Sequence, residues 1–162
     1  MNDEIQIEID LSSQQMTVFL QDDQLLCYPV STATNGAGEK LNSECTPRGE
    51  HRVAEKIGGG EAINSVFVAR MPTGEIYSEE FARNEAQRDW ILTRIIWLDG
   101  CEPGRNQGGD LDTKRRYIYI HGTPDSEPMG IPASHGCIRM RNSDLIELFE
   151  QVEKGTEVDI TA

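Results

Sequence analysis

Hydrophobic and polar residues alternate with a period of two over much of the chain. Between residues 5 and 10, isoleucine alternates with glutamine, glutamate and aspartate, which is typical of a β-strand with one buried face. Two further apolar runs, residues 16–20 and 25–32, lie on either side of the polar stretch 21–24, and this arrangement predicts a β-hairpin. The pattern therefore predicts short strands joined by turns.

Later apolar runs predict further strands. Residues 66–69 and 76–77 are expected to flank a turn at residues 71–75, which contain both proline and glycine. The run 90–98 is rich in β-branched and aromatic residues, as in a central strand. Residues 158–160 predict a last strand.

One segment predicts an α-helix. It begins after Asn142-Ser143, a pair suited to an N-cap, and it ends before Gly155. Acidic residues near its start would interact favourably with the positive end of the helix dipole. Its apolar face is formed by Leu145, Ile146, Leu148, Phe149 and Val152.

Five polar or glycine-rich stretches predict connections. Residues 33–44 and 100–109 are expected to be loops, and residues 46–49 a tight turn. The glycines at 58–60 lack the lysine and the following Ser/Thr of a phosphate-binding loop, so we expect a flexible connection. Residues 79–88 predict either a short helix or an irregular lid.

Length and charge restrict the class of protein. At 162 residues the chain suits one domain, residues 1–162, with a single core. It carries 28 acidic and 15 basic residues, which gives a net charge of −13. Nucleic acids and anionic membranes require clustered basic residues, so neither is expected as a partner.

Cysteine spacing and the N-terminal sequence bear on location. The four cysteines show no CxxC spacing, and we expect free thiols in a reducing compartment. The N-terminal residues lack the basic and apolar regions of an export signal, and no apolar run is long enough to span a bilayer. A cytoplasmic location is therefore expected, with a periplasmic or wall-side location as the alternative.

A histidine and a cysteine are placed for nucleophilic chemistry. His121 follows the β-rich run 117–120, and Ser134-His135-Gly136-Cys137 follows a loop that contains glycine and proline. A thiol needs a nearby imidazole or another positive group to lose its proton. A lone Cys or His is more often structural, but the two motifs together predict a catalytic pair, His121 and Cys137.

These motifs resemble the signature of the L,D-transpeptidase (YkuD-type) catalytic domain. That family has a His-Gly after a strand and a Ser/Thr-His-Gly-Cys after a loop, usually followed by Ile/Val-Arg. Further landmarks in family order are Asp10-Leu11-Ser12 with Gln15, Pro29-Val30-Ser31-Thr32, Thr46-Pro47-Arg48-Gly49 and Gly155-Thr156-Glu157-Val158. The resemblance implies a mainly β fold with one or two helices, a sandwich or barrel-like catalytic domain.

The chemistry assigns a role to each motif residue. Cys137 would attack a carbonyl to form a thioester, and His121 would act as general base and then as general acid. The resemblance implies that the main-chain carbonyl of Gly122 orients His121. Backbone N–H groups around His135, Gly136 and Cys137 would stabilise the oxyanion. His135 is the rival base, although its place in a tight turn favours orienting the loop or contacting substrate.

Five residues are candidates for binding substrate. Arg139 could hold a carboxylate in a bidentate pair, or it could brace the loop through backbone carbonyls. Ser134 is a lesser candidate for lining the cleft. The same holds for Arg94, Trp97 and Tyr119, for which core packing is the default.

The resemblance implies an enzyme that acts on peptidoglycan stem peptides. Cleavage would fall between an L-centre, typically of a diamino acid, and a D-residue. With water as acceptor the protein would be an L,D-carboxypeptidase that trims muropeptides during murein recycling, and we favour this reading. With an amine acceptor it would be a transpeptidase that forms cross-links or exchanges D-amino acids. Carbapenem-type β-lactams are expected to acylate the cysteine.

Two other classes of function stay open at this point. A zinc site could be built from His121, His135 and Cys137, but no CxxC or HExxH supports it. A noncatalytic muropeptide-binding module could keep the fold, although the retention of both His121 and Cys137 does not favour it. We therefore expect an enzyme without metal or cofactor.

Overall fold

In the computed structural model, which describes residues 5–85 and 88–162, the chain is mostly β-structure. These ranges contain ten strands, one short 3₁₀ helix (Gly109–Leu111) and one α-helix, α1 (Asn142–Gln151). The strands are β1 (Ile5–Asp10), β2 (Gln15–Leu20), β3 (Asp23–Ser31), β4 (Gly49–Ile57), β5 (Ser65–Val68), β6 (Met71–Ile76), β7 (Leu92–Gly100), β8 (Tyr119–Gly122), β9 (Ile138–Met140) and β10 (Glu157–Thr161).

Eight of the strands form a closed, barrel-like ring. Their order is β4-β10-β1-β2-β3-β9-β8-β7, and β7 pairs again with β4. Closure leaves no unpaired edge within the ring. The β5–β6 hairpin extends from β7, to which β5 pairs at Val66 and Leu92. The mainly β, barrel-like fold predicted from the sequence is confirmed.

The period-two pattern determines which side chains fill the ring. Ile7 and Ile9 of β1 are almost completely buried in a core that also receives Ile120 and Ile138. Helix α1 packs against β7 and β8 and contributes Leu145, Leu148 and Phe149 to the same core. The core therefore holds β8 and β9 rigidly from one side.

The predicted hairpins are present, but one turn lies elsewhere. Between β2 and β3, Gln21 and Asp22 both have positive φ, 51° and 70°, as in the two-residue turns that match strand twist. The turn predicted at residues 71–75 is wrong, because the chain turns at Ala69 and Arg70, whose φ values are 49° and 65°. Residues 71–75 belong to β6, the outermost strand of the hairpin, where proline is tolerated because no further strand needs its N–H.

The predicted helix is present, but its cap is not. Asn142 is the first residue of α1, the N-cap position is Arg141, and no side chain caps this end. Asn142 is buried and donates instead to the carbonyl of Thr123. The helix ends at Gln151, and Gly155, with φ of 93°, lies in the turn before β10.

The remaining connections follow the sequence predictions in part. The polar stretch 79–88 forms turns over residues 79–84 rather than a helix, while residues 86–87 lie outside the described residues. All four cysteines are free. In residues 5–85 and 88–162 no helix has the length and hydrophobicity needed to cross a membrane.

Candidate active site

Strand register brings the two predicted motifs onto one face of the sheet. β8 and β9 are parallel neighbours in which Ile120 pairs with Ile138 and His121 with Arg139. Paired residues project to the same face and successive residues to opposite faces. Because both isoleucines fill the core, His121 and Arg139 project away from it.

One register step earlier, Cys137 lies beside Tyr119 on this outer face. The two side chains share a small apolar cluster with Phe67 and Ile95. Cys137 is therefore diagonal to His121 across two neighbouring strands, a spacing that long and aromatic side chains can bridge. The fold thus joins a histidine and a cysteine that lie sixteen residues apart in the sequence.

The Cys137 thiol is held by main-chain groups. Its Sγ atom accepts a hydrogen bond from the N–H of Tyr119 at 3.4 Å and donates one to the carbonyl of Tyr117 at 3.4 Å. Burial raises the pKa of the thiol to about 12, while the Tyr119 N–H acts to lower it. Cys137 is therefore protonated at neutral pH and needs a base before it can attack.

The His121 imidazole has a defined tautomer. It is buried, and its Nδ1 atom lies 2.7 Å from the carbonyl oxygen of Gly122. A carbonyl can only accept a hydrogen bond, so Nδ1 carries the proton and Nε2 presents a lone pair. Burial also lowers the pKa of His121, which keeps the imidazole neutral and able to accept a proton.

Gly122 is closely packed against a polar network that sequence reasoning missed. A Cβ atom at this position would lie 2.1 Å from Oδ1 of Asn142 and 2.6 Å from the carbonyl oxygen of Leu92. Asn142 is in turn fixed by the Thr93 hydroxyl at 2.6 Å and by the Thr123 carbonyl at 2.9 Å. This network fixes the backbone that orients His121. The only sequence signal for it was an asparagine at a helix start, which also suits a cap.

The loop before Cys137 is braced from within. Ser134 is buried, and its hydroxyl donates to the carbonyl of Cys137 at 2.6 Å and accepts from the N–H of Gly136 at 3.2 Å. Both of these bonds hold the loop, and a place for Ser134 in the cleft lining stays a prediction. Gly136 has φ of 132°, a conformation that side chains disfavour.

A second brace comes from the predicted turn at residues 46–49. Thr46 is fully buried; its hydroxyl donates to the carbonyl of Gly136 at 2.9 Å and accepts from the N–H of Ala33 at 3.0 Å. Arg116 reaches the adjoining Cys45 carbonyl at 2.7 Å. These contacts fix the strand-to-loop geometry next to the thiol.

Arg139 and His135 meet a carboxylate from another part of the chain. Nη2 of the buried Arg139 donates to Asp89 Oδ1 at 2.8 Å. The other oxygen of Asp89 is 3.7 Å from Nδ1 of His135, whose side chain is 62% exposed. Arg139 therefore binds a carboxylate as its side-chain geometry suggests, but that carboxylate belongs to the protein. His135 lies at the surface beside Asp89, unlike the buried His121.

The three other residues predicted to line the cleft lie on different faces of the sheet. Trp97 and Tyr119 lie on the thiol side, with their rings in edge contact at 5.8 Å. Arg94 lies over the Phe149 ring of α1 at 5.5 Å and donates to the carbonyl of Glu61 at 2.8 Å. Arg94 therefore packs on the core side of the sheet.

The residues of the zinc alternative do not form a metal-binding group. Within the two described ranges, no three His, Cys, Asp or Glu side chains lie close enough together to hold a metal ion. A cavity of about 230 Å³ lies elsewhere on the ring, beside His51 and Cys101, and shares no residue with the thiol site.

Comparison with known proteins identifies similar chains. The model of the YkuD family, described as the L,D-transpeptidase catalytic domain, matches residues 4–160. The YkuD protein of Bacillus subtilis, whose name assigns it provisionally to the L,D-transpeptidases, is 43% identical over 61 residues, which span 35% of this chain and 37% of that protein.

Solved structures share the fold at low sequence identity. The L,D-transpeptidase LdtMt1 in complex with imipenem superposes with a TM-score of 0.60 at 19% identity and covers 99% of this chain and 60% of that one. L,D-transpeptidase 3 from Mycobacterium tuberculosis, in complex with a faropenem-derived adduct, gives 0.59 at 14% identity over 98% and 60%. The chain therefore spans less than two thirds of the length of these relatives.

Proposed function

The chain belongs to the YkuD family of L,D-transpeptidase catalytic domains, and we propose that it is a cysteine acyltransferase acting on peptidoglycan stem peptides. The observation that carries the proposal is the pairing of His121 Nδ1 with the Gly122 carbonyl at 2.7 Å. This contact leaves Nε2 as a base on the sheet face that also bears Cys137.

The first half-reaction forms a thioester. As Sγ of Cys137 attacks the carbonyl between the L-centre and the D-residue, its proton passes to Nε2 of His121. The tetrahedral intermediate then collapses, the C–N bond breaks, and the imidazolium returns the proton to the leaving amine. The released product is a D-amino acid, and the remaining peptide is held on sulfur.

The oxyanion of this intermediate needs preorganised donors. Of the three amides predicted for this role, that of Gly136 already donates to the Ser134 hydroxyl at 3.2 Å. We therefore assign the larger part to the amides of Cys137 and His135. Loss of one such donor typically costs about 3 kcal/mol of transition-state stabilisation.

For the second half-reaction we propose water as the acceptor, which makes the protein an L,D-carboxypeptidase. Arg139 and Arg116 lie close enough to act on the thiol through their charge, against the opposing charge of Asp89, and Arg70 and Lys114 contact Trp97 beside it. Such positive charge repels the ammonium group of an amine acceptor but not water. Trimming of muropeptides released during wall turnover is the process that this activity would serve.

Transpeptidation is the second candidate, and one observation favours it. Asp89 is 43% exposed and lies 3.7 Å from His135, so it could receive the ammonium group of an acceptor. The two candidates differ in the fate of the thioester alone.

The test is mass spectrometry of products formed from disaccharide-tetrapeptide and from free tetrapeptide, with and without a D-amino acid. We expect tripeptide and a free D-amino acid, both absent with Cys137→Ala. Exchanged or dimeric peptides would support transpeptidation instead. Binding of the muropeptide without any product would contradict the enzyme and favour a binding module.

A second readout uses a mechanism-based inhibitor. Since the solved neighbours were obtained with imipenem and with a faropenem-derived adduct, we propose that a carbapenem acylates Cys137 in this chain. Intact-protein mass should rise by one adduct in the wild type and not in Cys137→Ala. No adduct under native conditions would count against an accessible, activated thiol.

A further inference from the structure

A cluster of aromatic and cationic side chains lies beside the thiol, and its members come from three segments of the chain. We call it the aromatic–cation cluster: Trp97 of β7, Arg70 from the β5–β6 turn, and Lys114, Tyr117 and Tyr119 from the segment that leads into β8. Sequence analysis gave no role to Arg70, Tyr117 or Lys114.

Arg70 is fixed by three contacts within this cluster. Its guanidinium carbon lies 5.0 Å from the ring centroid of Trp97 and 4.9 Å from that of Tyr117, and Nη1 donates to the Tyr119 hydroxyl at 3.0 Å. Cation–π contacts of this kind hold the guanidinium in place. The Tyr119 bond uses one of its five N–H donors, which leaves donors for a further acceptor.

The cluster adjoins the reacting sulfur directly. The carbonyl of Tyr117 and the amide of Tyr119 are the two main-chain groups bonded to Sγ of Cys137, each at 3.4 Å. Tyr117 is 53% exposed, so the cluster borders solvent at the point where a peptide must approach the thiol. A ligand group held by Arg70 would therefore lie near the scissile bond.

The sign of the local charge is opposite to that of the whole chain. The net charge of −13 disfavours an anionic peptide in general. Near the thiol, however, Arg70 and Lys114 both pack on the Trp97 ring, the latter with Nζ at 5.4 Å. Two further cations near the thiol already have partners: Arg139 is paired with Asp89 at 2.8 Å, and Arg116 donates to the Cys45 carbonyl at 2.7 Å.

We propose that Arg70, assisted by Lys114, binds the free C-terminal carboxylate of the stem peptide; this inference rests on the proposed function. Guanidinium groups form bidentate pairs with carboxylates, and a group already held by two rings loses little freedom on binding. The β5–β6 hairpin then selects peptides by their terminal carboxylate, and the chain releases single D-amino acids rather than cleaving internal bonds.

The test crosses two substrates with two proteins. The substrates are the free tetrapeptide and the same peptide with a C-terminal carboxamide, and the proteins are the wild type and Arg70→Met. We expect Arg70→Met to lower kcat/KM for the carboxylate peptide by about tenfold or more, mainly through KM, and to change it less than about threefold for the carboxamide. Arg70→Lys should recover part of the loss.

Two controls distinguish a loss of carboxylate recognition from a general effect of the lost charge or an unfolded hairpin. Arg52→Met removes the same charge at an exposed position paired with Glu157 and should affect neither substrate. Thermal unfolding of Arg70→Met shows whether the hairpin stays folded. Equal losses on both substrates would overturn the inference, since Arg70 would then only position Tyr119.

The inference can fail independently of the proposed function. If the wild type releases no D-amino acid from either peptide, the proposed function is contradicted. The same pair of proteins is then acylated with a carbapenem and with its carboxylate methyl ester. A preference for the free carboxylate that disappears in Arg70→Met would support the carboxylate site, whereas an unchanged ratio of rates would overturn it.

Discussion

Burial acts on Cys137 and His121 in ways that complement each other. It raises the pKa of the thiol to about 12 and lowers the pKa of the imidazole, because a low-dielectric site disfavours each charged form. At neutral pH the pair is therefore a thiol and a neutral imidazole. Proton transfer has to accompany attack, rather than precede it as in a preformed thiolate–imidazolium pair.

This charge state predicts the pH profile of acylation. With a carbapenem as reagent, the wild-type rate should be flat near neutral pH and should fall only at a pH below the ordinary histidine range, because burial lowers the pKa of His121. In His121→Gln only the thiolate can react, so the rate should be lower and should rise about tenfold per pH unit. The measurement is the rate of adduct formation by intact-protein mass spectrometry.

A wild-type rate that also rises tenfold per pH unit would contradict the role of His121. A wild-type rate unaffected by the substitution would point to His135 as the base. His135→Gln is the matched control, because its side chain is exposed beside Asp89 and its loss should leave the plateau in place.

The atoms around Gly122 leave no room for a side chain at this position. Gly122→Ala would place a Cβ 2.6 Å from the Leu92 carbonyl oxygen and 2.1 Å from Asn142, so the backbone that orients His121 must move. We expect the free energy of unfolding to fall by about 1–3 kcal/mol and acylation to slow. Urea unfolding and the acylation rate test this.

Gly59→Ala is the control for that substitution, since its Cβ would meet Phe149 at an ordinary 3.4 Å. It should change stability by less than about 0.5 kcal/mol. If Gly122→Ala were equally mild, the packing of Asn142 against Gly122 would not constrain the site.

At the scale of the elements, periodicity predicted strands well and turns less well. The alternation at residues 5–10 is the buried and exposed alternation of β1. The turn at Ala69–Arg70 carries no Gly, Pro or Asn, so local propensity favoured residues 71–75 instead. Asn142 was read as a cap because that is its common use, whereas tertiary contacts with Thr93 and Thr123 determine its place.

The residues of the candidate site also differ in how well the sequence could predict them. His121 and Cys137 could be found from the sequence because each lies in a short motif. Asp89 and Arg70 could not, since they reach the site from turns remote in sequence, and only the packing of those turns brings their charges there. Arg94 follows Thr93, whose φ is 76° and which lies in the register shift between β7 and β8, so the sequence alone could not decide between core packing and a place in the cleft.

Thr46, in the segment before β4, supports the cysteine loop through its hydroxyl. Thr46→Val would leave the Gly136 carbonyl and the Ala33 N–H without their partner. Unpaired buried groups cost about 1–3 kcal/mol, so we expect that loss in urea unfolding and a lower kcat for tetrapeptide trimming. Thr46→Ser keeps the hydroxyl and should restore most of both; a similar loss in Thr46→Ser would indicate that the methyl group matters instead.

At the scale of the whole molecule, His51 links stability to pH. It lies in β4, between β10 and β7, with Nδ1 2.9 Å from the Gly49 carbonyl and Nε2 2.9 Å from the Thr113 hydroxyl. Burial lowers its pKa from 6.5 to about 4. The unfolded chain therefore binds a proton more readily than the folded one, so stability falls as the pH falls.

The expected loss from His51 between pH 7 and pH 4.5 is about 2 kcal/mol. Urea unfolding of the wild type and of His51→Gln at pH 7 and pH 4.5 measures it, and the variant should lose less stability on acidification. His121, whose pKa burial also lowers, contributes equally to both proteins and cancels in the difference. Parallel losses in the two proteins would contradict the assignment to His51.

The position of β10 also determines when the ring can be completed during synthesis. This strand lies between β1 and β4, and its pairing of Glu157 with Gln6 joins the two ends of the described chain. A nascent chain on the ribosome therefore exposes two unpaired strand edges, those of β1 and β4, until β10 has emerged. Such edges invite pairing with other chains, and contacts so distant in sequence slow folding. Chaperone binding to the nascent chain should accordingly be strongest in the interval before β10 is released.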